Sequence, residues 1–458
     1  MKAKWNVRLL ALLAVFALFV AACGGDDGGA SDTTEGGTDT TEAMTDTTEA
    51  MTDTTEAMTD TTEAMEEGEL GAVTVAAGDP IQIRSLNAIS GDVAFLGIPN
   101  QRAVELAIAD YGQIAGHDVT IGTGLDDLCS NEGGQAAAQQ IVADDQVVGV
   151  IGTSCSGAAV AASPVISDAG MVMISPSNTS PALTSDLAGN AGTDYHVGYY
   201  RTAHNDLFQG QAVAEFVYND LGITTSAAIH DGDPYTQGLA QAFSDAFEEL
   251  GGTITTFVGV NKGDTDMTPV LSEVATGSPE AIYMPIFQPE ADFIVQQIGG
   301  VSGLEDVQLI GADGILVSDF LSLPESEGMY FSGPSLQFGD NTNEITGVSA
   351  TDFLATYEEE YGEPPSAAFW AHAYDATTML LAAIEEVGVD QDGALVIDRQ
   401  ALRDALNATS FSGMIGDLQC DEFGDCGSQE IQINSHPDSS VTDATQLEVV
   451  FTYKGEVG

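Results

Sequence analysis

From residue 80 onward, short apolar runs of strand character alternate with amphipathic runs of helical length. The series begins with IQIRSLNAI and NQRAVELAIADYG and closes near residue 314 with VQLIGADG. Strands that alternate with helices of about 10–15 residues are typical of parallel sheets built from right-handed βαβ units. The run YYRTAHNDLFQG interrupts the series and looks like a crossing between two such units. We therefore predict an α/β fold of two doubly wound parallel-sheet lobes joined by a hinge, with a cleft between them.

The N-terminus has the pattern of an export signal. A basic MKAKWNVR is followed by the apolar run LLALLAVFALFVAA and then by Cys23. The run is shorter than the roughly 20 residues of a membrane-spanning helix, and a basic start with a small-residue end is typical of a signal peptide. Val20-Ala21-Ala22-Cys23 resembles the lipobox of bacterial lipoproteins, in which the cysteine is lipidated. We expect residues 1–22 to be a lipoprotein signal peptide; an ordinary secretory signal, with Cys23 incidental, is the alternative.

The segment after Cys23 is of low complexity. TDTTEAM occurs four times over residues 38–65, and each copy has only an adjacent Ala-Met pair as apolar residues. Such a repeat forms no coiled-coil seam, and its unbroken negative charge disfavours a helix. We predict a disordered, acidic, Thr-rich tether over residues 23–75.

The charge of the chain excludes some partners. Its 458 residues include 71 acidic and 10 basic ones, a formal charge of -61. Residues 24–69 hold 15 of the acidic residues, so the body after them still carries about -49. Nucleic-acid binding is excluded because phosphate neutralisation needs clustered Lys and Arg. Since 43% of the residues are hydrophobic, the body is expected to fold despite its charge.

The cysteines point to an oxidising compartment. If Cys23 is lipidated, Cys129, Cys155, Cys420 and Cys426 remain, and four cysteines allow three pairings. The two pairs that we expect are Cys129–Cys155 and Cys420–Cys426, the second of which brackets a short turn-like loop. A metal site is the competing interpretation, but CxxC spacing and nearby His are missing.

The predicted strands end in residues suited to a small zwitterion. Ser156, Ser177 and Thr179 follow two strands in the first half, and hydroxyls with helix N-terminal N–H groups suit a carboxylate. Tyr235 and Asp313 follow later strands, and a carboxylate suits an ammonium group. Ligands of doubly wound sheets bind beyond the carboxyl ends of the strands. The alternative is that these residues only cap helices and fill turns.

Two continuous segments resemble one known family. GTSCSGAAVAASPVISDAGMVMISPSNTSPALT (152–184) and IHDGDPYTQGLAQAF (229–243) are similar to the type I periplasmic binding proteins, in the leucine/isoleucine/valine-binding branch that serves ABC importers. The resemblance covers about residues 80–440. It implies a hinge of three strands, with the chain crossing between lobes near Arg201, Pro334 and Met414. The Cys129–Cys155 pairing also matches this branch.

The resemblance assigns roles to site residues. The implied ligand contacts are Ser156, Ser177, Thr179, Tyr235, Asp313, Phe287 and Leu96. The three hydroxyl residues of the first half would hold the α-carboxylate, and Asp313 falls where the family usually has the Glu that bonds the α-ammonium. Phe287 and Leu96 replace cleft aromatics that often carry a phenol hydroxyl, which makes the side-chain pocket more apolar. A branched-chain or other apolar amino acid is the leading ligand; short amides and urea bind related proteins and stay open.

The implied organisation divides the body into two discontinuous lobes. Residues 76–200 plus 335–413 would form the N-terminal lobe, and residues 201–334 plus 414–458 the C-terminal lobe. The expected protein is an extracytoplasmic, lipid-anchored (or periplasmic) monomer without cofactor or metal. It would close on its ligand and deliver it to the permease and ATPase subunits of an ABC importer.

Two other functional classes fit parts of the pattern. A sensory ectodomain of the same fold would close in the same way on a different partner. A secreted hydrolase is disfavoured, because Gly152-Thr153-Ser154-Cys155-Ser156 has Ser where the G-x-S-x-G elbow needs its final Gly, and the six His form no HExxH motif. Trp370 and Tyr374 are expected on the core face of a helix; Phe369 is also expected in the core, with a place in the cleft as the alternative. We therefore predict a binding protein and not an enzyme.

Overall fold

The computed structural model of the chain describes residues 68–455. The strands are β1 (Ala72–Val75), β2 (Ile81–Asn87), β3 (Val119–Thr120), β4 (Leu125–Asp126), β5 (Val147–Gly152), β6 (Val172–Ser175), β7 (Tyr199–Arg201), β8 (Thr225–His230), β9 (Thr253–Gly259), β10 (Ala281–Met284), β11 (Gln308–Gly311), β12 (Met329–Pro334), β13 (Val389–Gln391), β14 (Ala394–Asp398), β15 (Ser410–Gly413), β16 (Gly416–Gln419), β17 (Glu430–His436) and β18 (Glu448–Lys454). The helices are α1 (Ala94–Tyr111), α2 (Asn131–Val142), α3 (Ser156–Asp168), α4 (Asp206–Glu215), α5 (Pro234–Glu249), α6 (Thr268–Thr276), α7 (Glu290–Ile298), α8 (Ser318–Leu321), α9 (Ala350–Tyr361), α10 (Trp370–Val387) and α11 (Arg399–Asn407).

Two large sheets confirm the predicted pair of doubly wound lobes. The first has the order β3-β2-β5-β6-β7, with every neighbouring pair parallel and β4 also beside β2. The second begins β9-β8-β10-β11-β12, again with parallel pairs. In the first sheet β2 lies between β3 and β5, and in the second sheet β8 lies between β9 and β10, so the strand order reverses there. Ligand crevices form at such switch points. The N-terminal lobe is built on the first sheet and the C-terminal lobe on the second.

The second sheet is not parallel throughout. β17 pairs antiparallel with β12, and β18 pairs antiparallel with β17. The alternation of apolar strands with helices that predicts βαβ units ends before these two strands. They come from the C-terminal end of the chain and form a hairpin-like edge of the sheet. The C-terminal lobe is therefore mixed at one edge, away from the switch point.

Each lobe has its own core, although Leu336, Ala368 and Phe369 of the N-terminal lobe also pack into the core of the C-terminal lobe. The N-terminal core packs residues of β2 and β5 against α10, and the C-terminal core packs β8, β10 and β11 against α6 and α7. A further apolar cluster contains residues of both lobes, among them Leu96 and Cys155 from one and Tyr235 and Phe287 from the other. The lobes therefore touch through apolar side chains in the cleft.

The last part of the expected tether belongs to the fold. β1 pairs antiparallel with β14, and Val73 and Val75 are buried in the N-terminal core. The prediction of a disordered tether through residue 75 is wrong for this strand, because alternating valines offer one apolar face to the core. The expected signal peptide, Cys23 and the repeats lie outside the described residues.

The third crossing between the lobes comes later than expected. Met414 and Leu418 pack in the N-terminal lobe with Phe353 and Trp370, since the β15–β16 hairpin turns its apolar side toward α9 and α10. The chain enters the C-terminal lobe only at β17. The boundary expected at Met414 therefore shifts to the short segment between residues 426 and 430. The chain leaves the first sheet after β7 (Tyr199–Arg201) and the second sheet after β12 (Met329–Pro334).

Candidate functional site

One cavity between the lobes collects most of the predicted ligand-contacting residues. It is lined by Leu96, Ser154, Cys155, Ser156, Ser177, Tyr235, Phe287, Asp313, Gly314 and Phe369. Its volume is about 20 Å³, room for roughly one water molecule. The lining follows the carboxyl ends of β5, β6, β8, β10 and β11, as the rule for doubly wound sheets requires.

The N-terminal wall is rich in hydrogen-bond donors. Ser156 is the first residue of α3, and within the described residues the preceding Cys155 makes no side-chain capping bond to the helix. The first N–H groups of a helix have no partner inside it, and they favour an anion. The Ser177 hydroxyl donates to the carbonyl of Ser154 at 3.1 Å and accepts from the Asn100 amide at 3.3 Å. This wall is therefore suited to a carboxylate.

A buried aspartate fixes the turn before α3. Asp127 accepts from the backbone N–H groups of Cys129 and Ser154, both at 2.7 Å. Burial raises the pKa of Asp127 to about 7. The Cys129–Cys155 disulfide joins the same two loops, so the expected pairing is present at the wall of the cavity. The Cys420–Cys426 disulfide is also present, near the hinge.

Thr179 lies behind the cavity lining. Its side chain is buried, and its hydroxyl has no hydrogen-bond partner among residues 68–455. Its carbonyl accepts from the backbone N–H of Asp206 at 3.0 Å. Of the seven predicted contacts, Thr179 alone does not line the cavity in this arrangement of the lobes.

The C-terminal wall presents a carboxylate. Asp313 follows β11, and its Oδ1 accepts from the Tyr235 hydroxyl at 3.1 Å and from the Gln209 amide at 2.8 Å. Only 6% of Asp313 is exposed, and burial raises the pKa of its carboxyl group to about 6. A carboxylate has about four lone-pair sites, so Asp313 keeps capacity for a further donor. Near neutral pH this wall is suited to a cation such as an ammonium group.

The rest of the lining is apolar. The rings of Tyr235 and Phe287 lie with centroids 5.3 Å apart, and a Cβ on Gly314 would come within 3.1 Å of Phe287. Phe369 was expected in the core, with the cleft as the alternative; it is buried and also lines the cavity, because it ends the loop that precedes α10. Together with Leu96 these rings surround a space for an apolar side chain.

Asp206 is a site residue that the sequence pattern did not reveal. It begins α4, directly after the first crossing, and neither carboxylate oxygen has a hydrogen-bond partner among the described residues. Burial raises the pKa of Asp206 well above its ordinary value and the nearby charge of Asp313 raises it further, while the neighbouring Thr179 hydroxyl lowers it. The signal available in the sequence was that Asp206 follows RTAHN, in the segment expected to cross between the lobes. Two buried acids therefore lie close together next to the cavity.

The described residues offer neither a metal site nor a helix that could span a membrane. No group of three or more His, Cys, Asp or Glu within residues 68–455 could hold a metal ion. Among the helices of that range, none combines the length and apolarity needed to cross a membrane.

Comparisons with known proteins place this geometry in a family. A sequence profile described as periplasmic binding protein matches residues 80–425. The leucine-, isoleucine-, valine-, threonine- and alanine-binding protein of Pseudomonas aeruginosa is 27% identical, over 80% of this chain and 93% of the relative. The leucine-binding protein LivK of Thermotoga maritima has a TM-score of 0.69 at 25% identity, over 82% of this chain and 99% of that one.

The same fold occurs in a binding protein with a different ligand. An R. palustris solute-binding protein in complex with benzoate has a TM-score of 0.67 at 18% identity, over 82% of this chain and 96% of that one, which shows the fold alone. The profile covers most of the chain, and the relatives from P. aeruginosa and T. maritima are named for the amino acids that they bind. The chain belongs to the type I periplasmic binding proteins, in the branch of the leucine-, isoleucine- and valine-binding solute receptors.

Proposed function

We propose that the protein captures a branched-chain or other apolar α-amino acid between its lobes. The observation that carries the proposal is Asp313, a buried carboxylate that lines a cavity opposite the hydroxyls and N–H groups at the start of α3. The ligand carboxylate would bind at Ser156, Ser177 and Thr179, and its ammonium group at Asp313. Both ends of a zwitterion would thus find partners of opposite polarity.

The buried acids favour an amino acid over a simple carboxylate. Benzoate, the ligand of the R. palustris protein, carries no cation. A benzoate-like ligand in this cavity would leave the Asp313 carboxylate without a cation beside it, and an unpaired buried charge is costly. An ammonium group would offset that cost. The names of the relatives from P. aeruginosa and T. maritima agree with this choice.

Ligand entry requires the lobes to separate. The cavity of about 20 Å³ is smaller than an amino acid, and its two walls belong to lobes joined by three chain crossings. A rotation about the hinge would admit the ligand, and closure would bring Tyr235 and Asp313 onto it. Ligand would shift the equilibrium through its higher affinity for the closed state.

We propose further that the closed protein is read by the permease and ATPase subunits of an ABC importer. Lipid on Cys23 would hold it at the outer face of the membrane, and the acidic repeats would act as the tether. A sensory partner in place of the importer, and short amides or urea in place of the amino acid, are the alternatives.

Calorimetry with a panel of ligands tests the ligand class. Leucine, isoleucine and valine would be titrated beside 3-methylbutanoate, 3-methylbutylamine, acetamide and urea. The zwitterions should bind, and the two single-charge analogues should bind far more weakly. Tight binding of 3-methylbutanoate would contradict the role of the acids, and binding of an amide alone would support the alternative.

The Asp313→Asn variant tests the ammonium contact. Removing one partner of a buried charge pair costs about 3–5 kcal/mol, so affinity for the amino acid should fall by roughly 100-fold or more. Asp375→Asn is the matched control. Asp375 is equally buried, and burial raises the pKa of its carboxyl group to about 6, but it bonds to the backbone of Met414 and Ile415 outside the cavity. Equal affinities in the wild type and Asp313→Asn would refute the contact.

A further inference from the structure

A buried arginine holds the loop that carries two of the proposed carboxylate contacts. Arg201, the last residue of β7, is completely buried. Its Nη1 donates to the carbonyls of Asn178 at 3.2 Å and Ser180 at 2.9 Å, and its Nη2 donates to the Thr184 hydroxyl at 2.7 Å. The segment 177–184 is thus bound at three points by one guanidinium group. The planar fork of Arg suits such fixed geometry.

The charge of this arginine is balanced by one residue from a distant part of the chain. Arg201 Nε donates to Asp425 Oδ1, and the Asp425 side chain is itself almost fully buried. A guanidinium group that only bonded neutral carbonyls here would be an unpaired buried charge, which is strongly unfavourable. Asp425 therefore allows Arg201 to occupy this position.

The Cys420–Cys426 disulfide closes the loop that presents Asp425. Arg201 N–H donates to the Gly424 carbonyl at 2.9 Å, and Cys426 N–H donates to the Arg201 carbonyl at 3.0 Å. Gly424 has a φ of +87°, and a Cβ there would lie 2.3 Å from the Tyr199 carbonyl. The loop is therefore packed directly on β7, without room for a larger residue.

Asp425 also reaches the other half of the site. Its Oδ2 accepts from the Asn205 amide at 3.3 Å, and Asn205 Oδ1 in turn accepts from the N–H of Leu207 and so caps α4. The same helix carries Gln209, which donates to Asp313. The Asp425 carboxylate is thus linked both to the loop 177–184, which carries two proposed contacts of the ligand carboxylate, and to the wall that presents Asp313.

We propose that Arg201 and Asp425, held by the Cys420–Cys426 loop, are positioning residues that set the affinity of the site. They touch no ligand; they fix the loop 177–184 and the start of α4 relative to each other. The inference rests on the proposed function, since it concerns the same cavity. It adds that a disulfide loop at the hinge is part of the binding machinery.

Two variants and one control test the proposal. Asp425→Asn removes the counter-charge, and the double variant Cys420→Ser with Cys426→Ser frees the loop while keeping the charges of Arg201 and Asp425. Arg403→Met is the control, because Arg403 donates in a similar way to the carbonyls of Ser167 at 2.8 Å and Met171 at 3.0 Å, away from the cavity. Leucine and leucinamide would be titrated with each protein, and melting temperatures recorded in parallel.

The expected pattern separates positioning from general stability. Both test variants weaken the hydrogen bonds that a charged group makes to the loop 177–184, so leucine affinity should fall about tenfold or more in each. The loss should be smaller for leucinamide, which lacks the carboxylate. Arg403→Met should lower the melting temperature and leave affinity unchanged. Unchanged leucine affinity in both test variants would overturn the proposal.

Hydrogen exchange gives a readout that needs no ligand. Amides of residues 176–184 should exchange faster in Asp425→Asn and in the double serine variant than in Arg403→Met, because their anchor is weakened. If wild-type protein binds no amino acid but this exchange pattern appears, the proposed function fails and the positioning role stands. If the exchange of 176–184 does not change, the positioning role fails, whatever the ligand is.

Discussion

Burial of Asp313 has two effects. It makes the carboxylate selective for a cationic group, and it raises the pKa at which the carboxyl group titrates. Its pKa is raised to about 6 by burial, while an ordinary Asp titrates near 4. The protonated acid cannot pair with an ammonium group. Asp206 is shifted in the same direction, again mainly by burial. Binding of an ammonium group should therefore couple to proton release at Asp313.

The pH dependence of affinity follows from that shift. Above about pH 6 Asp313 is a carboxylate and affinity should be full; below it, affinity should fall by up to about tenfold per pH unit as one proton competes with the ligand. Calorimetry with leucine from about pH 8 to pH 5 measures the slope. Asp313→Asn should bind weakly at every pH without this slope. Affinity in the wild type that stays constant down to pH 5 would contradict the assignment.

Sequence reasoning reached the residues at strand ends and missed those at the crossing. Ser156 and Asp313 each follow an apolar strand, so the strand-end rule selects them. Asp206 and Gln209 lie in a segment that predicts only a connection between lobes, and Asp313, to which Gln209 donates, is 104 residues away. Such contacts depend on how three crossings assemble, which no local pattern encodes. Thr179 was selected but lies behind the lining, which depends on the arrangement of the lobes.

At the scale of elements, the amino ends of two helices from different lobes meet beside the site. α3 begins with Ser156 and Gly157, and α5 is capped by Asp233, whose Oδ1 accepts from the N–H of Tyr235. A Cβ built on Gly157 would lie 2.6 Å from Asp233 Oδ2. The absence of a side chain at Gly157 thus allows the two helices to approach.

Gly157→Ala should hinder closure. The added methyl group would displace the Asp233 carboxylate that caps α5 or press α5 away from α3; overpacking of this kind costs about 1–3 kcal/mol, so affinity should fall roughly tenfold. Small-angle scattering with saturating leucine should show a larger radius of gyration than in the wild type. Gly299→Ala, where a Cβ would meet nothing within 4 Å, is the control. A compact, wild-type-like profile for Gly157→Ala would show that this contact does not limit closure.

The elements themselves were predicted with uneven success, for physical reasons. β5 and β6 are fully buried apolar runs and were predicted from that pattern. The run HDVTIGTGL (117–125) has the apolar content of one strand but forms the two-residue strands β3 and β4, because glycines interrupt it. β1 was missed because its strand character comes from pairing with β14, which lies more than 300 residues later.

For the whole molecule, the acidic surface is the dominant electrostatic feature. The body carries about -49, and the ion pairs formed within residues 68–455 involve only a few of its acids. Like charges at this density repel and disfavour the compact state. The body has few basic residues, and one of them, Arg201, is buried inside the hinge.

Salt should therefore stabilise the protein. Counter-ions shorten the Debye length from about 30 Å at 0.01 M to about 3 Å at 1 M, which weakens the self-repulsion. Scanning calorimetry in increasing NaCl and KCl should show a rising melting temperature, with similar curves for the two salts if screening is the cause. A melting temperature that does not change with ionic strength would contradict an electrostatic origin.

The position of β1 decides how the molecule responds to a pull on its N-terminus. Gly68 N–H donates to Asp398 at 2.8 Å, and β1 is paired with β14, so the chain enters the fold through the N-terminal lobe alone. A force applied at residue 68 is therefore borne by that lobe, and the C-terminal lobe can swing without displacing the point of attachment. If the preceding segment is anchored as proposed, opening and closing do no mechanical work against it.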